Sequence, residues 1–165
     1  MGVIDQALEA NGKFAANYDL RQGSRPEPRL AVVTRMDPRV FDIEGMLGLC
    51  RSDMDVIRTE GAAVTEDTFA ELLISTRILG VTEILVINHT VCGFTNIVDE
   101  ELSEDFSETI GSTPVAWMRS FARMDPEQDT KEQILKIRSY PWIPMDVSVR
   151  GAIFDVKTGR LREVT

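Results

Sequence analysis

The chain has 165 residues, of which 18 are Lys or Arg and 27 are Asp or Glu, so its formal net charge is -9. A chain of this length fits one domain and can bury about two thirds of the surface that its unfolded form exposes. The negative charge opposes contact with phosphate groups, which argues against nucleic acid and membrane partners. No apolar run is long enough to span a bilayer, and the N-terminal sequence MGVIDQALEA is acidic. We therefore predict a single domain over residues 1–165 in the cytoplasm.

The first elements are a helix and a buried strand. Residues 4–18, IDQALEANGKFAANY, repeat apolar side chains at helical spacing, and the turn-forming sequence RQGSRPEP follows them. Residues 30–34, LAVVT, form a continuous apolar run rich in β-branched side chains. Such a run is typical of a strand that is covered on both faces in a parallel sheet.

A strand, a helix and another strand come next. The sequence predicts strands over residues 55–59 and 83–89, and a helix over residues 66–80 that has acids in its first turn and Gly80 as its C-terminal cap. This order is typical of a βαβ unit. The first half of the chain therefore predicts an α/β fold with a mainly parallel central sheet flanked by helices.

The second half is less regular. Residues 99–113 are acidic and predict a solvated loop or a frayed helix, whereas PVAWMRSFA and residues 129–140 predict helices. A strand over residues 152–156 and a turn over residues 157–160 close the chain. We expect Trp117, Phe121 and Trp142 to pack helices onto the sheet, because large aromatic side chains dominate core burial.

Charged and reactive side chains follow two of the predicted strands. Arg35, Asp37 and Arg39 come after the first strand, and His89 and Cys92 come at the end of the strand over residues 83–89. Because active groups of parallel α/β sheets collect at the carboxyl ends of the strands, we expect these residues to converge on one crevice. The alternative is structural: a salt bridge at a strand end, a hydrogen-bonded core histidine and a buried thiol.

The two motifs, RMDPR and HTVC, resemble those of the β-class carbonic anhydrases of the small bacterial type. That family has Cys-x-Asp-x-Arg after its first strand and His-x-x-Cys after its third. The resemblance continues through DVIRTEGAAVTED, ISTRILG, SVRGAIFDV and TGRL. It implies a β-carbonic anhydrase-like fold and a homodimer or higher homo-oligomer, in which an N-terminal helix over about residues 3–18 reaches to a partner subunit.

The resemblance also implies roles for the motif residues. In the family two cysteines and a histidine bind zinc, and an Asp-Arg pair orients the attacking group. By position the ligands here would be Arg35, His89 and Cys92, and the pair would be Asp37 with Arg39. Arg35 cannot bind zinc, because a guanidinium has no free lone pair and does not lose its proton.

A second cysteine does not restore the missing ligand. Cys50 falls in the loop before the second strand, where the family has no ligand, and we expect it to be a buried thiol. We therefore favour a site without a cofactor, in which the charge of Arg35 balances a Cys92 thiolate. Zinc remains possible on Asp37, His89 and Cys92 with a water molecule. At about 4 Å and an effective dielectric constant of 20, Arg35 would then be repelled by the ion by roughly 8 kcal/mol.

The resemblance, together with these residues, implies the function of the crevice. We expect it to bind or convert a small electrophile or oxyanion of the carbon dioxide and bicarbonate kind, with weak or altered activity. Asp37, Arg39, Arg35 and Cys92 are the candidate catalytic residues, and Arg35, Arg39 and Gly93 are the candidate substrate-binding residues. Two alternatives remain: a metal-free hydrolase or lyase that uses Cys92 as nucleophile or Asp37 as base, and a non-catalytic protein that binds a small anion.

Overall fold

A five-stranded sheet forms the centre of the computed structural model, which describes residues 2–17, 29–90 and 125–164. The strand order is β2-β1-β3-β4-β5. The strands are β1 (Leu30–Arg35), β2 (Met54–Thr59), β3 (Glu83–His89), β4 (Ser148–Phe154) and β5 (Leu161–Val164). The first four are parallel to one another, and β5 is antiparallel to β4. The predicted fold class is therefore confirmed.

The described residues include four α-helices, and the last three of them pack on this sheet. They are α1 (Val3–Ala16), α2 (Ile43–Leu47), α3 (Glu66–Leu73) and α4 (Pro126–Ser139). Short 3-10 turns cover Arg51–Asp53 and Glu60–Ala62. Within the residues that the structure describes, no helix is both long and apolar enough to cross a membrane.

The predicted helix over residues 66–80 changes its form part-way. It is α-helical to Leu73 and continues as a π-helical segment, Ile74–Leu79. Gly80 ends it in the left-handed conformation, with φ of 82°, which glycine adopts without steric cost. The prediction of a helix with a glycine cap is confirmed, but the π-helical segment was not predicted.

The C-terminal elements differ from the predicted bounds. α4 begins at Pro126 rather than at Asp129, because the Asp125 carboxylate accepts hydrogen bonds from the N–H groups of Glu127 and Gln128, both at 3.1 Å. β4 begins at Ser148 and ends at Phe154, so the predicted start at residue 152 was wrong. The strand β5, which pairs with β4, was not predicted.

The sheet is buried on both faces, as the apolar run of β1 predicts. Ala31 and Val33 belong to one core cluster, and Val32, between them, belongs to the other. The first cluster includes side chains from α3 and α4, and the second includes Ile43 of α2. Alternate side chains of β1 therefore pack against helices on opposite faces of the sheet.

The helix α4 lies unusually close to the sheet. A Cβ atom on Gly151 of β4 would stand 2.5 Å from Thr130 Cγ2 and 2.7 Å from Ile134 Cδ1. Only glycine leaves room for this approach. The close packing brings the N-terminal half of α4 over the carboxyl ends of the central strands, which matters for the site described below.

The helix α1 has no buried residue within the part of the chain that the structure describes. Its apolar side chains Val3, Ile4 and Leu8 are 82%, 76% and 69% exposed. The predicted helix is confirmed, whereas its contact with a partner subunit and the single-domain organisation stay predictions.

One aromatic prediction was wrong. Trp142 is 64% exposed and meets Tyr140 edge-on instead of lying beneath a helix. Trp117, Phe121, the acidic segment 99–113 and the predicted helix PVAWMRSFA lie outside the described residues.

Candidate functional site

The loop after β1 is held in place by the neighbouring strand. Arg58 of β2 donates hydrogen bonds to the carbonyl groups of Arg35 at 3.1 Å, Val40 at 2.6 Å and Phe41 at 3.1 Å. The Met36 N–H adds a bond to the Thr59 carbonyl at 3.1 Å. The loop that carries Asp37 and Arg39 is therefore fixed at both ends.

Asp37 and Arg39 form a bidentate ion pair. The guanidinium donates through Nε to Asp37 Oδ1 at 2.9 Å and through a terminal nitrogen to Oδ2 at 2.7 Å, and the Arg39 N–H also donates to Oδ1 at 2.8 Å. These bonds hold the pKa of Asp37 well below its usual range. A general base works best when its pKa lies near the working pH, so Asp37 in this arrangement is a weak base.

His89 brings the end of β3 to the same place. Its Nε2 lies 3.3 Å from Asp37 Oδ2, and the side chain is fully buried. The structure therefore brings together the two motifs that were predicted to converge. Nδ1 lies 2.8 Å from the Thr90 carbonyl, which assigns the proton to Nδ1 and leaves the lone pair of the neutral ring on Nε2.

The Nε2 atom of His89 has no hydrogen-bond partner although it is buried. Its contact with Asp37 is close enough for an ion pair but is not aligned as a hydrogen bond. Burial lowers the pKa of His89, because a buried imidazolium loses hydration, and this exceeds the opposing effects of the Thr90 carbonyl and Asp37. A ligand that donates to Nε2 would satisfy this atom.

Arg35 is buried beside this pair and points towards α4. Its side chain is only 6% exposed, its Nε donates to Asn88 Oδ1, and a terminal nitrogen lies 3.7 Å from Asp129 Oδ2. Asn88 also donates to Asp129 Oδ2 at 2.9 Å. Asp129 is therefore a counter-ion for Arg35. The sequence did not predict this pair, and the expected charge balance between Arg35 and a Cys92 thiolate stays a prediction.

This contact belongs to a longer chain of hydrogen bonds. Gln133 Nε2 donates to Asp129 Oδ1 at 2.8 Å, and Gln133 Oε1 accepts from the Val64 N–H at 2.9 Å. These hydrogen bonds connect β1, β3, α4 and the loop after β2. Because both Asp129 oxygens accept hydrogen bonds and Asn88 and Gln133 are buried, the network fixes the Arg35 head group.

A further acid lies at the carboxyl end of β2. Glu60 directly follows Thr59, and its Oε1 is buried without a hydrogen-bond partner. Burial raises the pKa of Glu60 because it disfavours the carboxylate, and this exceeds the lowering caused by the positive charge of Arg35. The turn that positions Glu60 contains one strained residue, since Ala62 carries a Cβ atom and has φ of 54°.

Sequence reasoning missed four of these polar residues. They are Glu60, Asn88, Asp129 and Gln133. The rule that active groups follow parallel strands could have found Glu60 and Asn88, because both lie at strand ends. Nothing in the local pattern of α4 marks Asp129 or Gln133 as neighbours of Arg35.

The predictions for the two cysteines, Cys50 and Cys92, have different outcomes. Cys92 and Gly93 lie outside the described residues, so their predicted roles stay predictions. Cys50 is an exposed free thiol. The expectation of a buried Cys50 was therefore wrong: this residue precedes a 3-10 turn at the surface, and its N–H donates to Asp53.

Comparison with known proteins identifies the family. The chain is 33% identical over 165 residues to β-carbonic anhydrase 1 of Mycobacterium tuberculosis, covering 100% of this chain and 99% of the relative. The chain belongs to the β-carbonic anhydrase family. A carbon disulfide hydrolase of Acidianus is 29% identical, covering 98% of this chain and 90% of the relative. No protein-family model matches the chain.

A solved structure agrees with this assignment. The crystal structure of carbonic anhydrase from Streptococcus mutans superposes with a TM-score of 0.86 and 34% sequence identity, covering 100% of this chain and 99% of that one. The strand order and the flanking helices described above are thus those of a β-carbonic anhydrase fold.

The family implies a zinc ion, and the described residues alone do not complete a site for it, because the candidate ligand Cys92 lies outside them. Two potential ligand groups, His89 and Asp37, converge, and both Asp37 oxygens already accept hydrogen bonds from Arg39. Among the residues that the structure describes, no group of three His, Cys, Asp or Glu side chains could hold a metal ion. A catalytic zinc site needs three protein ligands, and Arg35 cannot supply the third.

Proposed function

We infer that this member of the β-carbonic anhydrase family binds a small electrophile or oxyanion of the carbon dioxide and bicarbonate kind, and converts it with weak or altered activity. The observation that carries this inference is the buried Arg35 at the end of β1, which Asn88 and Asp129 hold. The resemblance aligns this position with a zinc-binding cysteine, which a guanidinium cannot replace. The proposal therefore does not include ordinary zinc-dependent hydration of carbon dioxide.

Arg39 is the residue that we expect to contact the ligand. Its guanidinium pairs with Asp37 through two N–H groups, and its side chain is 41% exposed, so solvent and small ions reach it. A planar oxyanion suits such a group, because guanidinium donors match the geometry of carboxylate-like oxygens. Cys92 and Gly93 are proposed to complete the crevice.

Calorimetric titration with bicarbonate at fixed ionic strength tests the proposal. Arg39→Ala should weaken binding by about 10- to 100-fold, the value of a hydrogen bond to a charged group. Arg162→Ala is the control, because it removes an equal charge from an exposed pair with Glu127. Binding that is unaffected by Arg39→Ala, or rapid zinc-dependent hydration of carbon dioxide, would contradict the proposal. Binding without turnover would support the non-catalytic form of the proposal.

Hydrolysis of a neutral sulfur compound is the second candidate. The similarity to the carbon disulfide hydrolase of Acidianus favours it. In this function Cys92 would be the nucleophile, since Arg39 makes Asp37 a weak base. Hydrogen sulfide release from carbon disulfide should then be lost in Cys92→Ser and kept in Cys50→Ser, because Cys50 is exposed in the loop before β2. Equal activity of both variants would exclude Cys92 as nucleophile.

A homo-oligomer is part of the same proposal. The exposed apolar side chains of α1 support it, because a helix with one uncovered apolar face gains free energy when a second subunit covers it. The cytoplasmic location stays a prediction from the sequence.

A further inference from the structure

The charged groups of the crevice are balanced within the protein. Arg39 is paired with Asp37 at 2.7 Å, and Arg35 lies 3.7 Å from Asp129. Two positive and two negative charges sum to zero. Glu60 adds another acid near Arg35 and Asp37. The described crevice therefore offers an incoming anion no net positive charge, although it contains two arginines.

We propose that Asp129 determines the anion affinity of this crevice by holding and neutralising Arg35. Asp129 is a specificity-determining residue that acts through Arg35 rather than by contact with the ligand. The inference rests on the function proposed above, and it assigns a role to a residue of α4 that lies outside both sequence motifs.

Three contacts support this role. The Asp129 carboxylate faces the Arg35 guanidinium at 3.7 Å, and Asn88 bridges the two, since it accepts from Arg35 and donates to Asp129 Oδ2 at 2.9 Å. Gln133 fixes the other carboxylate oxygen at 2.8 Å. Asp129 thus cannot turn away from Arg35 without breaking two hydrogen bonds in a buried network.

Burial strengthens the electrostatic effect of the Arg35–Asp129 pair. The side chains of Arg35 and Asp129 are 6% and 13% exposed, so water and salt screen them less than they screen a surface pair. Removing the charge of Asp129 takes away one of the negative charges that oppose Arg35, so the electrostatic potential in the crevice becomes more positive. An anion that enters would then be attracted, whereas in the parent protein Asp129 opposes it.

The test is the affinity for bicarbonate, measured by titration calorimetry at fixed ionic strength. Asp129→Asn keeps the shape and an acceptor oxygen for Asn88 but removes the charge. We expect about tenfold tighter binding, equivalent to about 1.4 kcal/mol. Two unit charges about 12 Å apart at an effective dielectric constant of about 20 interact with this energy. A purely structural role for Asp129 would predict weaker binding.

Two further variants make the result specific. Glu127→Gln removes the same charge from the same helix, but Glu127 pairs with Arg162 and Lys131 at the surface. The affinity of this variant for bicarbonate should therefore equal that of the parent. Arg35→Met combined with Asp129→Leu removes both charges and should bind bicarbonate no more tightly than the parent, because the gain expected from Asp129→Asn acts through Arg35. This double variant leaves no buried charge unpaired, so it serves the test even where Asp129→Asn does not fold.

The outcomes separate this inference from the proposed function. Unchanged or weaker binding by folded Asp129→Asn, an equal gain in Glu127→Gln, or tighter binding than the parent in the double variant would overturn the role of Asp129. If Arg39→Ala still weakens bicarbonate binding in those cases, the proposed function stands without a role for Asp129. If the parent binds no bicarbonate but Asp129→Asn does, the role of Asp129 is supported and bicarbonate is excluded as a ligand of the parent.

Discussion

Changing Arg35→Cys should create a zinc site and should also destabilise the metal-free protein. The substitution puts a thiolate at the end of β1, and the family's pattern assigns the other two zinc ligands to the positions of His89 and Cys92. It also removes the buried cation that faces Asp129 at 3.7 Å. The structure therefore predicts two opposite effects of one substitution, and zinc separates them.

The loss of stability follows from the burial of the pair. Removing one partner of a buried ion pair costs about 3–5 kcal/mol. We expect about 3 kcal/mol, because Asn88 and Gln133 still donate to Asp129. For a chain of this size each kcal/mol lowers the melting temperature by about 2–4 °C. Metal-free Arg35→Cys should therefore melt about 6–12 °C below the parent.

Zinc should restore much of this difference. A ligand at one hundred times its dissociation constant adds about 2.7 kcal/mol to the free energy of unfolding. Melting curves with and without zinc, together with zinc content after dialysis against a weak chelator, measure both effects. Arg35→Ser is the matched control, because it loses the same cation but gains no zinc ligand.

Two results would refute this reasoning. If the parent retains about one zinc per chain after dialysis, as a complete site would, then Asp37, His89 and Cys92 bind it and Arg35 does not take its place. If Arg35→Cys and Arg35→Ser respond equally to zinc, the thiol is not a ligand.

Three other predictions follow from the sequence and the structure. Carbon dioxide hydration by the parent should be weak or absent in a stopped-flow pH-indicator assay, because Arg35 stands where the resemblance places a zinc-binding cysteine and a guanidinium cannot bind the ion; fast zinc-dependent hydration would disprove this. Glu60→Gln should raise the melting temperature at pH 7–8, since the raised pKa of Glu60 means that the parent loses stability as the pH rises through that value. The gain should shrink as the pH falls below the ordinary pKa of a glutamate, about 4.3, because Glu60 then becomes protonated in both states, and a gain independent of pH would argue against this cause. Light scattering should give a dimer or larger species. Leu8→Asp, on an exposed apolar position of α1, should shift the protein towards monomer, whereas the control Glu9→Gln on the same helix should not. A monomeric parent at micromolar concentration would rule out the assembly.

The sheet could be predicted well from the sequence because burial leaves a local signature. Apolar β-branched runs gave the positions of β1, β2 and β3, and β3 has the predicted bounds, Glu83–His89. The short strand β5 has only one buried residue, Val164. It pairs at the edge of the sheet, so its sequence LREV lacks the apolar run that marks a central strand.

The sequence by itself determined which groups meet at the carboxyl ends of β1 and β3, because parallel strands that leave the sheet at one edge bring Asp37 and His89 together. It also determined that Arg35 is not a zinc ligand, which depends on the chemistry of the side chain alone. Only the tertiary structure decided what Arg35 does instead. Asp129 and Gln133 are polar positions of a helix and have no local feature that sets them apart from a solvated face. The close approach of α4 to Gly151 is what brings Asp129 to Arg35, and such packing depends on residues far apart in the chain.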